Sequence, residues 1–392
     1  MIKRYLERNI SEDIKEKMVF ISGPRQVGKT TVAKETGKKL YAGHCEYLNW
    51  DNRNDRKAIL SGVFRGDDKL VIFDELHKYK NWKNFIKGEY DKYRDKFHIL
   101  VTGSARLDVY RKGGDSLLGR YRSYRLHPLS VGELIRPDGS YPIPFKELLF
   151  NTYHESVRVF DKLMKFGGFP EIYTKHDERV LRRWHNDRVD RLIKEDIRDV
   201  EYVRDISALQ VLVELLPGKV GSCFSLNSLR EDLNVTHKTV SLWTDILEKF
   251  YYHFRVYPYQ NSLIKSLRKE PKMYLWDWSE IEDAGIRLEN MVACHLLKLC
   301  HFLHDAEGYK ASLWYLRDKD QREVDFLVSI DGKPWFSVEV KSVFKGVPPA
   351  IKYFKDRLKI PFVYEVVGEK GCDILQDNVR IISADKFLAS FV

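Results

Sequence analysis

Residues 18–34 read MVFISGPRQVGKTTVAK, in which a short apolar run leads into a glycine-rich loop and then into the start of a helix. Residues 23–30 match the pattern GxxxxGK followed by Ser or Thr, in the strand–loop–helix context that the pattern requires. The glycines let backbone N–H groups surround phosphate oxygens, and the helix N-terminus adds the positive end of its dipole. Lys29 is placed to reach the β- and γ-phosphates, and the hydroxyl of Thr30 is placed to bind Mg²⁺. The stretch predicts an α/β P-loop NTPase domain that binds ATP, with these candidate nucleotide-binding residues: Gly23, Pro24, Arg25, Gln26, Val27, Gly28, Lys29, Thr30 and Thr31.

A second apolar run ends in two carboxylates that suit the same site. Lys69–Phe73 reads as a strand, and Asp74 and Glu75 follow it directly. Asp74 would hold the magnesium ion through water, and Glu75 would polarise the attacking water. The alternative is a strand that merely ends in a solvated acidic turn, and the presence of a P-loop at this distance argues against it.

Four ordered segments carry a resemblance to a known family. They read GPRQVGKTT (23–31), VIFDELHKYKNW (71–82), VTGSARL (101–107) and LLGRYRSYRLHPLSVGEL (117–134). In this order they resemble the prokaryotic AAA+-like ATPases that combine an AAA domain with a DUF4143 domain. The segment GGFPE (167–171) matches the signature that follows the ATPase core in that family, so the resemblance covers the whole chain.

The resemblance implies ATP hydrolysis and adds two candidate residues. Ser104 stands where AAA+-type ATPases place a polar residue that senses the γ-phosphate and the lytic water. Arg120 resembles an arginine finger directed at the nucleotide of a neighbouring copy, which would require a homo-oligomer with the nucleotide near a subunit interface. A surface arginine without such a role is the alternative. The chain departs from the family at Ala105 and Arg106, where further serines are common, so the choice of sensing side chain is open.

The composition limits the classes of protein to consider. The chain has 392 residues, of which 43% are hydrophobic and 32% charged, with 13 Pro and 23 Gly, and these values exclude a disordered, collagen-like or disulfide-stapled chain. The formal net charge is +10. The basic balance favours an anionic partner such as DNA without selecting it. The 5 cysteines are scattered without zinc-site spacing, and no run is long enough for a signal peptide or membrane span. A cytoplasmic protein without membrane association is expected.

The predicted domains are residues 1–150 for the ATPase, 151–270 for a helical lid and winged helix-turn-helix, and 271–392 for a C-terminal α/β domain.

Residues 225–256 have the pattern of a winged helix-turn-helix. A short helix over 225–233, a turn and a second helix from residue 237 are followed by an apolar segment, 251–256, that reads as a strand of the wing. The second helix of such a module can enter a DNA major groove. Winged helices also bind proteins, so both kinds of partner stay open. The candidate nucleic-acid contacts are His237, Lys238, Thr239 and Ser241.

Residues 322–341 read REVDFLVSIDGKPWFSVEVK, which predicts a β-hairpin around Asp-Gly. A three-residue turn would pair residue 330 with 334 and place Asp325 opposite Glu339. Asp325, Glu339 and Lys341 would then share one face of the hairpin. The other face would be apolar, formed by Val324, Phe326, Val328, Phe336, Val338 and Val340.

Two facing carboxylates repel each other unless a cation lies between them, and Mg²⁺ prefers such oxygen ligands. Lys341 could activate water, and Glu289, on a predicted helix over 285–297, could approach the same ion. This pattern resembles the D…ExK signature of PD-(D/E)XK nucleases. An exposed polar hairpin face is the alternative, and a nuclease-like domain that serves only in binding or oligomerisation is another.

The sequence thus predicts an AAA+-like protein that binds and hydrolyses ATP with Mg²⁺ and engages DNA, with Mg²⁺-dependent nuclease activity as an open question. The alternative is a regulatory ATPase whose C-terminal domains are inactive scaffolds for protein interactions.

Overall fold

The computed structural model describes residues 2–63, 69–104, 117–136, 140–197, 205–260, 266–267 and 269–392, apart from the side chains of residues 195 and 196. The chain divides into two compact units. The first is formed mainly by Met1–Pro128, and the second by Leu129–Glu195, Val203–Glu248 and Tyr252–Val392. The predicted domain limits at residues 150 and 270 stay predictions.

The first unit is built on a five-stranded parallel sheet in the order β2-β3-β4-β1-β5. Strands β1 and β3 are buried along their whole length, as expected for parallel strands that are covered on both faces. The phosphate-loop residues follow β1, and the two carboxylates occupy the end of β3 and the next position. The elements are α1 (Glu7–Asp13), β1 (Met18–Ser22), α2 (Lys29–Tyr41), β2 (Cys45–Asn49), α3 (Arg53–Ser61), β3 (Leu70–Asp74), α4 (Trp82–Tyr93), β4 (His98–Gly103) and β5 (Tyr121–Arg125).

The N-terminal part of the second unit is helical. Helix α6 is strongly amphipathic, and it packs against α5, α7 and the last helix of the chain. The predicted helix-turn-helix pair forms as α10 and α11, separated by a turn in which Asn234 takes a left-handed conformation (φ 52°). These helices are α5 (Val131–Ile135), α6 (Ser156–Phe166), α7 (Pro170–Lys175), α8 (Glu178–Arg191), α9 (Ile206–Leu215), α10 (Leu226–Asp232) and α11 (His237–Lys249).

The rest of the second unit is a mixed eight-stranded sheet in the order β12-β13-β11-β10-β9-β8-β6-β7. The 22-residue helix α12 packs against β7, β8 and β10, and it is buried on all sides between residues 290 and 296. The elements are β6 (His253–Pro258), β7 (Lys272–Leu275), α12 (Ala284–Asp305), β8 (Ala311–Arg317), β9 (Glu323–Ile330), β10 (Lys333–Lys341), α13 (Pro349–Leu358), β11 (Phe362–Val367), β12 (Asp373–Gln376), β13 (Val379–Ser383) and α14 (Ala384–Ala389).

The strand predicted as part of a wing has a second set of neighbours. It forms β6 and pairs antiparallel with β7, as a wing hairpin would. Its last residues, Tyr257 and Pro258, also pair in parallel with β8. The strand is therefore integrated into the eight-stranded sheet, which the local sequence pattern does not indicate.

The hairpin of β9 and β10 reaches the predicted register by a different route. The turn contains two residues rather than three, because Ile330 pairs with Lys333 while Asp331 and Gly332 both have positive φ. An irregularity between Pro334 and Phe336 then shifts the pairing by one residue. Phe326 consequently pairs with Val338, as the three-residue turn would also have required. The predicted turn length was wrong, and the bulge compensates for it.

The predicted apolar face of β9 is also interrupted. The pairing of β9 with β8 changes register between Trp314 and Leu316. Two residues of β9, Asp325 and Phe326, therefore lie opposite one residue of β8. Val324 and Leu327 consequently belong to the same core cluster, although strict alternation would place them on opposite faces.

Among the described residues, no helix is both long and apolar enough to span a bilayer.

Candidate functional site

The glycine-rich loop closes around its own lysine. The ammonium Nζ of Lys29 donates to the carbonyl oxygens of Gly23 (3.0 Å) and Pro24 (2.7 Å), and the residue is only 5% exposed. Gly23 has φ 150°, and a Cβ there would lie 2.3 Å from the carbonyl oxygen of Leu126. Only glycine fits this position. The loop thus holds a buried positive charge at the N-terminus of α2.

A buried arginine that the sequence analysis missed supports this loop. The guanidinium of Arg4 donates to the carbonyl oxygen of Val27 at 2.6 Å and to that of His127. A Cβ at Gly28 would lie 3.2 Å from an Arg4 nitrogen. Arg4 lies 23 residues before Val27 in the chain, and no local pattern signals the contact.

The carboxylate of Asp74 lies among three hydroxyl groups. Thr30 donates to its Oδ2 at 2.9 Å, Tyr47 donates to the same oxygen at 2.6 Å, and Thr102 donates to Oδ1. Burial, together with the bond to Asp74, raises the pKa of Tyr47, so the phenol remains a donor. Thr30 and Asp74 are the residue pair predicted to hold Mg²⁺, and their direct contact fits that role. The sequence analysis missed Tyr47 and Thr102.

Glu75 lies beside the predicted sensor residue. Ser104 donates from Oγ to Oε2 of Glu75 at 3.0 Å, and the backbone of Glu75 is left-handed (φ 56°). The same Oε2 lies 3.5 Å from Nδ1 of His77, which is 4% exposed. Burial lowers the pKa of His77 despite the charge of Glu75, which keeps the imidazole neutral. The structure thus brings Glu75 and Ser104 together and adds a histidine that no sequence pattern indicated.

Arg120 is not near this loop. It precedes β5, and Tyr121 pairs with Met18 at the start of β1, whereas the loop follows the end of β1. Its guanidinium pairs with Asp91 at 2.8 Å. A role toward the nucleotide of a second copy stays a prediction.

The four candidate nucleic-acid contacts differ in exposure. His237 and Lys238 are exposed at the start of α11, whereas Thr239 and Ser241 are half-buried. The hydroxyl of Thr239 bonds that of Thr236 at 2.8 Å, and Thr236 also accepts from the Thr239 backbone. Thr239 therefore takes part in the hydrogen bonds that cap the helix. His237 and Lys238 are the two candidate residues whose side chains are exposed to solvent.

The hairpin brings Asp325 and Glu339 into contact. The backbone N–H of Asp325 donates to Oε2 of Glu339 at 3.3 Å, and the backbone N–H of Val340 donates to Oδ2 of Asp325 at 2.9 Å. The ammonium of Lys341 lies 2.6 Å from Oε1 of Glu339. Burial and the charge of Asp325 raise the pKa of Glu339 to about 7. Three predicted residues therefore meet at one place.

Lys272, on β7, joins this cluster and was missed by the sequence analysis. Its ammonium lies 2.7 Å from Glu323, 3.3 Å from Asp325 and 3.5 Å from Glu289. Burial alone would lower the pKa of Lys272, but the surrounding carboxylates raise it above the ordinary value. Burial and the charge of Asp325 raise the pKa of Glu289 to about 7. A buried, protonated lysine therefore stands between the predicted metal ligands.

These residues do not fit a magnesium ion. Within the described ranges, no group of three or more His, Cys, Asp or Glu side chains is arranged to hold a metal. Mg²⁺ requires oxygens at about 2.0–2.1 Å in octahedral geometry. Lys272 holds the position between Glu289 and Asp325 instead. The predicted ligation by Glu289, Asp325 and Glu339 is therefore not the arrangement observed.

Comparison with known proteins finds three matching domains. An AAA domain matches residues 15–135, the domain of unknown function DUF8612 matches 157–280, and the domain of unknown function DUF4143 matches 284–386. The uncharacterized protein MJ1544 of Methanocaldococcus jannaschii is 23% identical over 361 residues, which cover 84% of this chain and 77% of that protein. The uncharacterized protein Rv2008c of Mycobacterium tuberculosis is 22% identical, over 95% of this chain and 81% of that protein.

Two solved structures illustrate the structural similarity. The Thermotoga maritima RuvB Holliday junction branch migration motor is 18% identical, covers 64% of this chain and 87% of its own, and has a TM-score of 0.30. AMPPCP-bound DnaA from Aquifex aeolicus is 13% identical, covers 62% of this chain and 86% of its own, and has a TM-score of 0.32. At these scores the similarity supports no conclusion about function.

Proposed function

From the finding that the chain joins an AAA domain to a DUF4143 domain, we propose that the protein binds ATP with Mg²⁺ and hydrolyses it in its first unit. The observation that carries the proposal is the contact of Thr30 with Asp74, beside the contact of Ser104 with Glu75. The first pair suits the magnesium ion that accompanies the nucleotide, and the second suits the attacking water.

Each residue of the site has a distinct part in the proposed reaction. When ATP enters, Lys29 exchanges its bonds to the Gly23 and Pro24 carbonyls for phosphate oxygens. Glu75 orients a water for attack on the γ-phosphorus and accepts its proton, while Ser104 holds the carboxylate in place. The bond between the γ-phosphorus and the β–γ bridging oxygen breaks, and ADP leaves with that oxygen. Mg²⁺ would add positive charge at the β- and γ-phosphates. Asp74 is fixed in advance by three hydroxyl donors, so it needs little reorganisation.

Phosphate release from ATP by the full chain tests this proposal. Mg²⁺-dependent release that disappears in Glu75→Gln supports it. Release that persists at the wild-type rate in both Glu75→Gln and Lys29→Ala would assign the activity to another protein in the preparation. A wild-type chain that neither binds nor hydrolyses ATP would overturn the proposal.

We further propose that the second unit engages DNA through the start of α11. Support comes from the exposed His237 and Lys238, from the preceding short helix and turn, and from the formal charge of +10 on the chain. The alternative is a regulatory ATPase whose second unit binds a protein. DNA that accelerates phosphate release supports the first function, and an unchanged rate at saturating DNA supports the second.

A further inference from the structure

The carboxylates of Glu289, Asp325 and Glu339, which form the C-terminal cluster, already have partners within the protein. Oδ1 of Asp325 faces Lys272, and Oδ2 accepts from the backbone of Val340. The two oxygens of Glu339 face Lys341 and the backbone N–H of Asp325. Oε1 of Glu289 accepts from the hydroxyl of Tyr274 at 2.7 Å. The donors to this cluster are therefore supplied by the protein itself.

The chain fixes Lys272 at this place. Its side chain is 3% exposed, and its backbone pairs with β6 on one side and with Cys223 in an isolated bridge on the other. The backbone N–H of Phe224 also donates to the carbonyl of Pro271 at 2.8 Å. These main-chain contacts fix the backbone of Lys272, and the ammonium is held in the cluster by Glu323 at 2.7 Å and Asp325 at 3.3 Å.

Residues 221–224, which contact β7, also lie beside Glu289 on α12. Gly221 has φ 72°, and a Cβ there would lie 3.4 Å from both carboxylate oxygens of Glu289. Its N–H donates to the carbonyl of Met273 at 3.1 Å, which holds it against the cluster. The backbone at Gly221 therefore borders Glu289, and a side chain at this position would come into van der Waals contact with the carboxylate.

We propose that the ammonium of Lys272 replaces a divalent cation in this cluster, so that the C-terminal sheet holds no Mg²⁺ and does not cleave DNA. The lysine supplies the positive charge that the facing carboxylates require. The nuclease-like arrangement then serves to hold β7, β9, β10 and α12 together. This inference concerns the second unit and does not depend on the proposed ATPase.

Titration of the nucleotide-free full chain with Mn²⁺, followed by electron paramagnetic resonance, tests this replacement. The experiment is done in Asp74→Asn, so that the candidate ligand of the first unit does not contribute. We expect no saturable Mn²⁺ binding that depends on Asp325. Saturable binding that Asp325→Asn abolishes, or Mg²⁺-dependent cleavage of plasmid DNA that requires Asp325 and Glu339, would overturn the inference.

Lys272→Ala provides the converse measurement. It leaves Glu289, Glu323 and Asp325 without the shared cation, so we expect a lower melting temperature that Mn²⁺ raises by several degrees. Lys333→Ala, at the exposed start of β10, is the matched control and should melt like the wild type with and without the metal. If Lys272→Ala does not fold, the wild-type titration against Asp325→Asn still decides the question. A variant that folds and melts at the wild-type temperature would contradict the role given to Lys272.

Discussion

The hydroxyl of Thr30 donates to the carboxylate of Asp74 at 2.9 Å, across 44 residues of sequence. The contact exists because β1 and β3 flank β4 in one parallel sheet, so that the residues after β1 meet the end of β3. Thr102, on β4 between them, donates to the other oxygen of Asp74. The carboxylate is therefore oriented before any nucleotide enters.

Replacing Lys29 by alanine should abolish ATP turnover. The ammonium is the buried positive charge of the loop, and its loss removes the group that meets the β- and γ-phosphates. We expect phosphate release to fall by at least about 100-fold. Lys38→Ala, on the exposed face of the same helix, is the control and should retain the wild-type rate. Equal rates in the two variants would remove Lys29 from the site.

Glu75→Gln should separate nucleotide binding from hydrolysis. The amide keeps the shape of the side chain but cannot accept the proton of the attacking water, so we expect turnover to fall by about 100-fold or more. Binding of a fluorescent ATP analogue should stay near the wild-type affinity, since Asp74 and Lys29 remain. If binding and turnover fell together, the division of roles between Asp74 and Glu75 would be wrong.

Ser104→Ala should act through Glu75. Its hydroxyl donates to that carboxylate at 3.0 Å, and a hydrogen bond of this kind is worth about 1 kcal/mol, or about a fivefold change in rate. In the Glu75→Gln background the same substitution should have little further effect. A double-mutant cycle of single-turnover rates measures this coupling. Fully additive losses would show that Ser104 acts on the phosphate independently of Glu75.

Lys238→Glu should weaken DNA binding across all sequences. If Lys238 contacts a phosphate, the logarithmic salt dependence of the affinity should lose about one unit of slope. Fluorescence anisotropy at several salt concentrations measures both quantities. Lys333→Glu makes the same charge change at an exposed site on the eight-stranded sheet. An equal effect of the two variants would indicate general charge attraction rather than contact by α11.

His295 should make the second unit sensitive to acid. Its Nδ1–H donates to the carbonyl of Met291 at 2.8 Å, and Nε2 accepts from the backbone of Val131 at 3.1 Å, so the ring is neutral. Burial lowers the pKa of His295 to about 3. The unfolded chain takes up a proton below about pH 6.5 and the folded chain does not, so stability falls as the pH decreases.

The size of this effect can be measured by denaturant unfolding. From about pH 6.5 to about pH 5, the wild type should lose about 1.5 kcal/mol more unfolding free energy than His295→Gln, which has no titrating ring. The measurement has to follow the transition of the second unit. Equal losses in the two proteins would show that His295 is protonated in the folded state.

Much of the first unit was predictable from contiguous residues. The apolar runs before Gly23 and Asp74 form β1 and β3, because a fully buried parallel strand needs an uninterrupted apolar sequence. The predicted register of the β9–β10 hairpin is the one observed at Phe326 and Val338. It results from a two-residue turn followed by a bulge, and not from the three-residue turn that was predicted. Bulges depend on how neighbouring strands pack, and the alternation of residues does not reveal them.

Contiguous residues specify the phosphate-binding loop and the acidic pair Asp74 and Glu75, since each is a local motif whose backbone and side chains act together. The tertiary structure decided which distant groups complete or occupy the sites. Arg4 supports the loop from the N-terminal segment, and His77 is turned toward Glu75. Lys272 enters the carboxylate cluster from β7, more than fifty residues before Asp325. Strand order and burial decide these positions. A buried charged side chain is stable only beside an opposite charge or hydrogen-bonding groups, and here residues distant in the sequence supply them.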